Sequence, residues 1–231
     1  MSARTVILGR LKSTLDTVHN PTVRYSRADQ CIKEAGTGSS GSLIPERGRA
    51  EGPAKTALFV NEAERAEADV YQLARLADVP TMVAGLLKDA GVDEIKIAPE
   101  QTLQALDWSG AHVDATFGRG VDDDHVGLAL AQAGVAETGT LVMYSGPDAP
   151  TTLNFLPDVH IVVLREQDIA ANYEQVWAQL RRTSSSDAGF MPRTVNWITG
   201  PSRTADIEQT LLLGAHGPRK LIILLIDAEI A

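Results

Sequence analysis

The residues best suited to chemistry lie in one short run of the sequence, GPSRTADIEQTLLLGAHGPRK, from Gly200 to Lys220. An apolar, strand-like stretch, TVNWITG, stops at the first of these glycines, and the pattern after Ser202 predicts a helix. A strand that passes through Gly and Ser into a helix leaves free backbone N–H groups that favour an anion. Arg203 adds a forked cation that suits carboxylate or phosphate. The run therefore predicts a small-anion site.

The same residues also suit a purely structural role. Ser202 or Thr204 can cap the predicted helix, because both are good N-cap residues. Arg203 can then pair with Asp206 or Glu208 instead of a ligand. The stretch by itself leaves both alternatives open.

Two further turns supply groups for acid–base chemistry. Glu137, in AETGT between two apolar runs, is a candidate general base or nucleophile, or simply part of a hairpin turn. His216-Gly217-Pro218-Arg219 precedes the last apolar run and either brings an imidazole and a guanidinium to the same edge or only sets the chain direction. His160 opens another strand and, taken alone, is more typical of a structural histidine.

Two motifs that resemble known ligand sites fail their context tests. Gly36–Gly41 reads GTGSSG, a literal GxGxxG, but no strand precedes it and no helix follows, so it predicts a flexible loop. Asp122–His125 could hold a divalent cation, but adjacent side chains do not easily converge on one ion, and a solvated turn is favoured. The sequence predicts neither a metal site nor a cofactor.

The composition limits the classes of function. A formal net charge of −9 argues against a nucleic-acid partner. The single cysteine, Cys31, can form neither an internal disulfide nor an iron–sulfur cluster, and it fits a cytoplasmic protein. No run of 18 apolar residues predicts a membrane span, and the first residues lack the apolar run of a signal peptide.

The charge is distributed unevenly along the chain. Residues 1–54 carry eight Lys/Arg and five Asp/Glu, whereas residues 55–231 carry thirteen and twenty-five. We therefore expect a basic N-terminal arm over 1–54 and an acidic domain over 55–231, with the arm packed on an acidic surface of its own or a neighbouring chain. Residues 35–54 have no sustained periodicity and predict an irregular segment, and a homo-oligomer is left open. One face of a helix in the arm is apolar: Ile7, Leu8, Leu11, Leu15 and Val18.

From residue 55 onward, helical patterns alternate with short apolar runs. This order predicts an α/β domain with a mostly parallel central sheet flanked by helices. VGLALAQAGVAETGTLVMYSG predicts two strands joined by a tight turn, and Asp168 is the expected N-cap of the helix that follows VHIVVLRE. Parallel strands gather their carboxyl ends at one edge, so we expect Glu137, Ser202, Arg203 and the His216–Arg219 turn at that edge.

Three stretches together resemble the signature blocks of a known family. GVAETGTLV, LNFLPDVHIVV and ITGPSRTADIEQTLLLGAHGPRKLIILLI are similar to the LUD-domain family, in particular its LutC/YkgG-like group, over roughly residues 57–231. The matching positions are Glu137, Thr138, Gly139, Thr140, His160, Gly200, Pro201, Ser202, Arg203, Thr204, Asp206, Glu208, His216, Gly217, Pro218 and Arg219.

The resemblance implies a fold like that of the phosphopentose isomerase and CoA-transferase superfamily. It also implies a role in bacterial growth on L-lactate, in which three proteins oxidise lactate to pyruvate and two of them carry iron–sulfur clusters. This chain would be the cluster-free subunit or accessory protein, which binds a small carboxylate or other anion. The alternative is an acyl-transfer or isomerase-type enzyme that uses Glu137, and whether the chain is an enzyme at all is left open.

Overall fold

The computed structural model describes residues 4–10, 30, 44–186, 192–205, 211–214 and 216–227. The chain divides into two units, 1–44 and 45–231. In the first unit, residues 4–10 are helical, as the pattern around Ile7 and Leu8 predicts. Residues 11–20, Cys31 and the GTGSSG motif lie outside the described residues, and the packing of the arm and the domain boundary at residue 54 stay predictions.

The second unit contains four α-helices and twelve strands among its described residues. The helices are α1 Gly52–Arg65, α2 Val79–Ala90, α3 Gln101–Gln104 and α4 Tyr173–Ser186. The strands are β1 Asp69–Leu73, β2 Glu94–Ile97, β3 Asp114–Phe117, β4 Val126–Leu130, β5 Ala133–Val135, β6 Thr140–Tyr144, β7 Val159–Arg165, β8 Ile169–Ala170, β9 Val195–Ile198, β10 Arg203–Ala205, β11 Leu211–Leu213 and β12 Lys220–Ile226. Short 3-10 turns lie at Glu46–Arg49, Leu76–Asp78, Thr151–Asn154 and Glu166–Asp168.

The predicted central sheet is confirmed: six strands, all parallel, in the order β1-β12-β7-β4-β2-β3. The two most apolar runs of the sequence, VHIVVLR and KLIILLI, form the adjacent strands β7 and β12 in register from Val159↔Lys220 to Arg165↔Ile226. Their interiors are buried, as is typical of central strands in a parallel sheet.

The stretch from Val126 to Tyr144 forms three strands rather than the predicted two. The Ala131 amide still donates to Val163 O of β7 (2.9 Å), but the next amide, of Gln132, donates to Val142 O of β6 (3.0 Å). The chain thus leaves the parallel sheet between these two residues, and β5 and β6 form a hairpin. This hairpin belongs to a second sheet, ordered β8-β5-β6-β9.

The prediction of a helix after Ser202 is wrong. Residues Arg203–Ala205 and Leu211–Leu213 are antiparallel strands, paired from Arg203↔Leu213 to Ala205↔Leu211. Asp206 and Glu208 lie outside the described residues. The apolar LLL run, which belonged to the predicted helix, pairs through its backbone as β11.

Helix α4 begins later than predicted, so Asp168 is not its N-cap. Asp168 lies in a 3-10 turn, and the cap is Asn172, whose Oδ1 accepts a hydrogen bond from the Gln175 amide (3.0 Å). The same side chain donates through Nδ2 to Gly48 O (2.7 Å), which ties residues 46–49 to the α/β unit. Residues 45–54 are therefore ordered: they contain a 3-10 turn and the start of α1, where we expected an irregular segment.

Within the described residues, the longest and most apolar helices still fall short of what a membrane crossing requires.

Candidate functional site

The Glu137–Thr140 turn connects β5 to β6 and lies against the C-terminal end of α1. Gly139 has φ +63°, and a Cβ on it would overlap the backbone nitrogen of Ala63. Glycine is required here for both reasons, because an L side chain would meet strain and backbone at once. Gly200, at φ +68°, approaches the same helix end so closely that a Cβ would overlap Ala66 O.

Four hydroxyl groups join the two glycine turns. Thr140 Oγ1 lies 2.7 Å from Thr138 Oγ1 and 2.7 Å from Thr199 Oγ1, and Tyr173 Oη lies 2.9 Å from Thr138 Oγ1 and 3.0 Å from Thr140 Oγ1. The register of β6 with β9 sets this contact, because Leu141 pairs with Ile198 and the next positions outward are Thr140 and Thr199. The four hydroxyl groups satisfy one another's hydrogen-bonding capacity and connect the Glu137–Thr140 turn to the turn at Gly200.

Glu137 is the buried carboxyl group of this region. Its side chain is 8% exposed, and Oε2 has no hydrogen-bond partner among the described residues. Burial raises the pKa of Glu137; the Glu174 carboxylate raises it further, and Arg47 lowers it. The charges that act on Glu137 thus come from α4 and the 46–49 turn.

Arg203 lies at the amino end of β1, beside the turn that follows α1. Its Nη1 is 3.2 Å from Glu67 Oε1, and its Nη2 donates to Ala66 O (3.1 Å). The neighbouring Ser202 amide donates to Pro218 O (2.8 Å). The free helix-start amides that the sequence predicted at Ser202 are therefore absent from this turn, since the following residues form β10.

The His216–Arg219 turn leads directly into β12, so it lies at the amino edge of the parallel sheet. The Arg219 amide donates to Asp158 O (2.8 Å), and its Nε is 3.3 Å from Asp158 Oδ1. His125 Nδ1 is 3.3 Å from the other oxygen of the same carboxylate. His216 itself is exposed.

The expected position of these blocks at the carboxyl edge is wrong. Ser202, bonded to Pro218, and Arg203, beside the start of β1, lie at the amino edge with the 216–219 turn. The topology explains the difference. The strand that leads into Gly200, β9, belongs to the second sheet, so its carboxyl end need not lie at the carboxyl edge of the parallel sheet. The blocks nevertheless meet one another, through Thr140–Thr199 and Ser202–Pro218. Whether they bind a ligand stays a prediction, and of Thr204 only the backbone is described.

His160 is part of the core rather than of a site mouth. It is fully buried on β7 between Gly127 of β4 and Leu221 of β12, and burial lowers the pKa of His160 to about 4. Neither ring nitrogen has a hydrogen-bond partner among the described residues. A neutral imidazole in this position agrees with the structural interpretation.

Glu100 is a candidate that the sequence analysis missed. It follows β2 at the carboxyl edge, where Oε2 accepts from the Leu130 amide (3.1 Å) and Oε1 from Gln132 Nε2 (3.3 Å). Burial raises the pKa of Glu100 to about 7, with the Leu130 hydrogen bond and Arg165 opposing and Asp148 adding to the shift. The available signal was a lone Glu just after the apolar run EIKIAP.

Within the described residues, no cluster of His, Cys, Asp and Glu side chains has the geometry to hold a metal ion. In the Asp122–His125 turn, Asp124 Oδ2 accepts from the Val121 amide (2.7 Å), and its Oδ1 is 3.9 Å from Lys96 Nζ.

A parallel six-stranded sheet joined to a second sheet, with the Glu-Thr-Gly-Thr and Gly-Pro-Ser-Arg turns meeting at the end of α1, defines an α/β protein of the LUD type. The sequence model of the LUD domain matches residues 56–226, and the chain belongs to this family.

Relatives and a solved structure agree with this assignment. YkgG of Escherichia coli K12 is 30% identical over 171 residues, which cover 73% of this chain and 72% of that one. Lactate utilization protein C of Bacillus licheniformis is 28% identical over 56% of this chain and 53% of its own length, so the match spans about half of that relative. The crystal structure of a DUF162 family protein from Deinococcus radiodurans has a TM-score of 0.52 at 21% identity, and the match covers 74% of this chain and 96% of that one. This last likeness shows the fold.

Proposed function

We propose that this chain acts in bacterial L-lactate utilisation, as a subunit or accessory protein that carries no iron–sulfur cluster itself. The observation that carries the proposal is the LUD match over 56–226, together with relatives named Lactate utilization protein C. A single cysteine supports a division of labour in which separate partner proteins hold the clusters. A cytoplasmic location is part of the same proposal.

We further propose that the signature blocks bind a small carboxylate or other anion, with Arg203 as the clamp. Glu67, which now neutralises Arg203, is 61% exposed, and an ion pair of this kind is worth about 0–1 kcal/mol. An incoming carboxylate can therefore replace it at little cost. The bond from Arg203 Nη2 to Ala66 O holds the guanidinium plane in place for that exchange. The proposed walls of the site are Thr138, Gly139, Thr140, Gly200, Ser202, Thr204, His216, Gly217 and Arg219.

A second candidate function rests on Glu137. A buried carboxyl group with a raised pKa, and with one oxygen that has no partner among the described residues, is suited to general acid–base or nucleophilic work. In this alternative the chain is an acyl-transfer or isomerase-type enzyme in its own right.

Titration calorimetry with L-lactate and pyruvate tests the anion site. We expect Arg203→Ala to weaken binding about ten- to a hundred-fold, since charge-assisted hydrogen bonds are worth about 1.5–3 kcal/mol. Arg65→Ala is the matched control, because Arg65 lies at the same end of α1 in an exposed pair with Glu62. Equal affinities of wild type and Arg203→Ala would remove Arg203 from the site.

Glu137→Gln separates the two functions. If the chain is a binding subunit, Glu137→Gln should leave its affinity for the carboxylate unchanged or higher. If Glu137 is a general base or a nucleophile, the same substitution should abolish the reaction that the chain catalyses. Growth on L-lactate of a strain that carries each variant provides the second readout.

A further inference from the structure

A cavity of about 420 Å³ opens on the side of the molecule where the turn after β3, the loop after β6 and the residues before β9 converge. Its volume falls in the range of about 300–1,000 Å³ that is typical of small-molecule sites. Among the described residues, it is lined by a set separate from the signature blocks. The lining residues with polar side chains are Arg119, Ser145, Thr151, Thr152, Arg193 and Thr194.

Two arginines from separate segments, Arg119 and Arg193, give the cavity a positive charge. In the part of the chain that the structure describes, neither forms an ion pair, whereas Arg65, Arg203 and Arg219 each face a carboxylate within 3.3 Å. The chain as a whole carries a net charge of −9, so two cations that line one cavity with no ion-pair partner among the described residues run against its composition.

The acidic residue nearest in sequence to the lining segments does not line the cavity. Asp148 lies between Pro147 and Ala149, but it is the neighbouring residues that form the wall. Its charge acts on Glu100, where it contributes to the raised pKa of that carboxyl group. Among the described residues no acidic side chain lines the cavity, so its positive charge is open to a ligand.

Thr152 supplies a hydroxyl group that has no other role in the described structure. Its Oγ1 is buried and lacks a hydrogen-bond partner among the described residues, although Thr152 lines the cavity. An unpartnered buried hydroxyl is costly and uncommon in folded proteins. Rotation of the Thr152 side chain about χ1 would bring this hydroxyl to a ligand oxygen in the cavity.

The walls are held in position before any ligand arrives. The Ser145 amide donates to Thr194 O (2.9 Å), and the Thr194 amide donates to Ser145 Oγ (2.9 Å), so the segment that carries Arg193 is fixed to the loop after β6. Next to Arg119, Gly120 lies so close to the 151–154 turn that a Cβ would come within 3.2 Å of the Leu153 nitrogen. A preorganised pocket loses less free energy on binding.

From these observations we infer that this cavity is a binding site for a small phosphate monoester, a ligand class beyond the carboxylate of the proposed function. A phosphate monoester carries a charge of about −1.5 to −2 at pH 7, which matches two guanidinium groups. Its three terminal oxygens can accept from Arg119, Arg193 and the Thr152 hydroxyl, whereas a carboxylate has only two oxygens. The volume leaves room for the organic part of the ligand beyond the phosphate.

Titration calorimetry with glycerol 3-phosphate, at constant ionic strength and pH 7.5, tests the inference. We expect Arg119→Gln and Arg193→Gln each to lower affinity about ten- to a hundred-fold, and Thr152→Val about two- to ten-fold. Arg65→Gln makes the same change in charge outside the cavity and should leave affinity within about two-fold. Melting temperatures identify any variant that fails to fold, and two arginine variants on different segments keep the test decisive.

Two comparisons identify the class of ligand. Glycerate, with one carboxylate on a similar skeleton, should bind at least about ten-fold more weakly than glycerol 3-phosphate. Affinity for glycerol 3-phosphate should fall between pH 7.5 and 5.5, because the second phosphate pKa lies near about 6. The inference is overturned if the wild type does not bind glycerol 3-phosphate, or if both arginine variants bind it as tightly as the wild type. It is also overturned if Arg65→Gln loses as much affinity as the cavity variants, or if glycerate binds as tightly as the phosphate. L-Lactate binding that depends on Arg203 is measured separately, so either site can fail without the other.

Discussion

The buried imidazole of His160 should make folding stability depend on pH in a way that can be isolated. The ring is fully buried, and its pKa falls from 6.5 to about 4 because burial penalises the charged form. Between about pH 4 and pH 6.5, His160 binds a proton in the unfolded chain but not in the folded chain. Stability from His160 is therefore complete above about pH 6.5 and is lost as pH falls toward 4.

The size of the effect follows from the difference of about 2.5 between the two pKa values, which corresponds to about 3 kcal/mol. Glu100 acts in the opposite direction. Its pKa rises from 4.5 to about 7, so the folded chain holds a proton that the unfolded chain releases, and stability is lost as pH rises through that range. Between about pH 4.5 and 6.5 the two contributions largely cancel in the wild type.

Urea denaturation of four proteins separates the contributions: wild type, Glu100→Gln, His160→Leu and the double variant, each measured at pH 4.5, 5.5, 6.5 and 7.5. In Glu100→Gln the His160 effect is exposed, and the free energy of unfolding should fall by about 2–3 kcal/mol from pH 6.5 to 4.5 relative to the double variant. In His160→Leu only the Glu100 effect remains, so the free energy of unfolding relative to the double variant should rise as pH falls from 6.5 to 4.5. Other titrating groups are common to both members of each pair and drop out of the difference.

Equal pH dependence of Glu100→Gln and the double variant would contradict this prediction, because the imidazole would then titrate equally in the folded and unfolded states. An NMR titration of the His160 ring with a pKa near 6.5 in the folded protein would refute it as well.

Two further predictions concern how the turns are fixed. Gly139→Ala should destabilise the protein by more than about 2 kcal/mol, because the new Cβ would overlap the Ala63 backbone at a positive φ. Gly85→Ala, in open space within α2, is the control and should be neutral or stabilising by up to about 1 kcal/mol. Equal shifts in melting temperature for the two variants would contradict the close approach of Gly139 to α1. Asn172→Ala should lower the free energy of unfolding, measured by urea denaturation, by about 1–2 kcal/mol. Asn172→Asp should recover the stability due to the helix cap but not that due to the hydrogen bond to Gly48 O. Full recovery by Asp would show that the Gly48 contact contributes nothing.

The sequence by itself determined the class of fold and most of the elements. Continuous apolar runs such as KLIILLI predicted buried parallel strands, and the Pro near the start and Gly after the end of α2 marked its boundaries, because these signals act over a few residues. The same local signals located the glycine turns around Gly139 and Gly200. They also carried the resemblance to the LUD family.

The tertiary structure alone decided how the strands are shared between sheets and where the turns meet. The pattern after Ser202 favoured a helix locally, but backbone pairing of Arg203–Ala205 with Leu211–Leu213 replaces it. The hydrogen bond between Thr140 and Thr199 joins residues 59 positions apart, and Arg119 and Arg193 face one cavity from segments still farther apart in the chain. Strand pairing and loop convergence depend on contacts between distant residues, which no local pattern of side chains encodes.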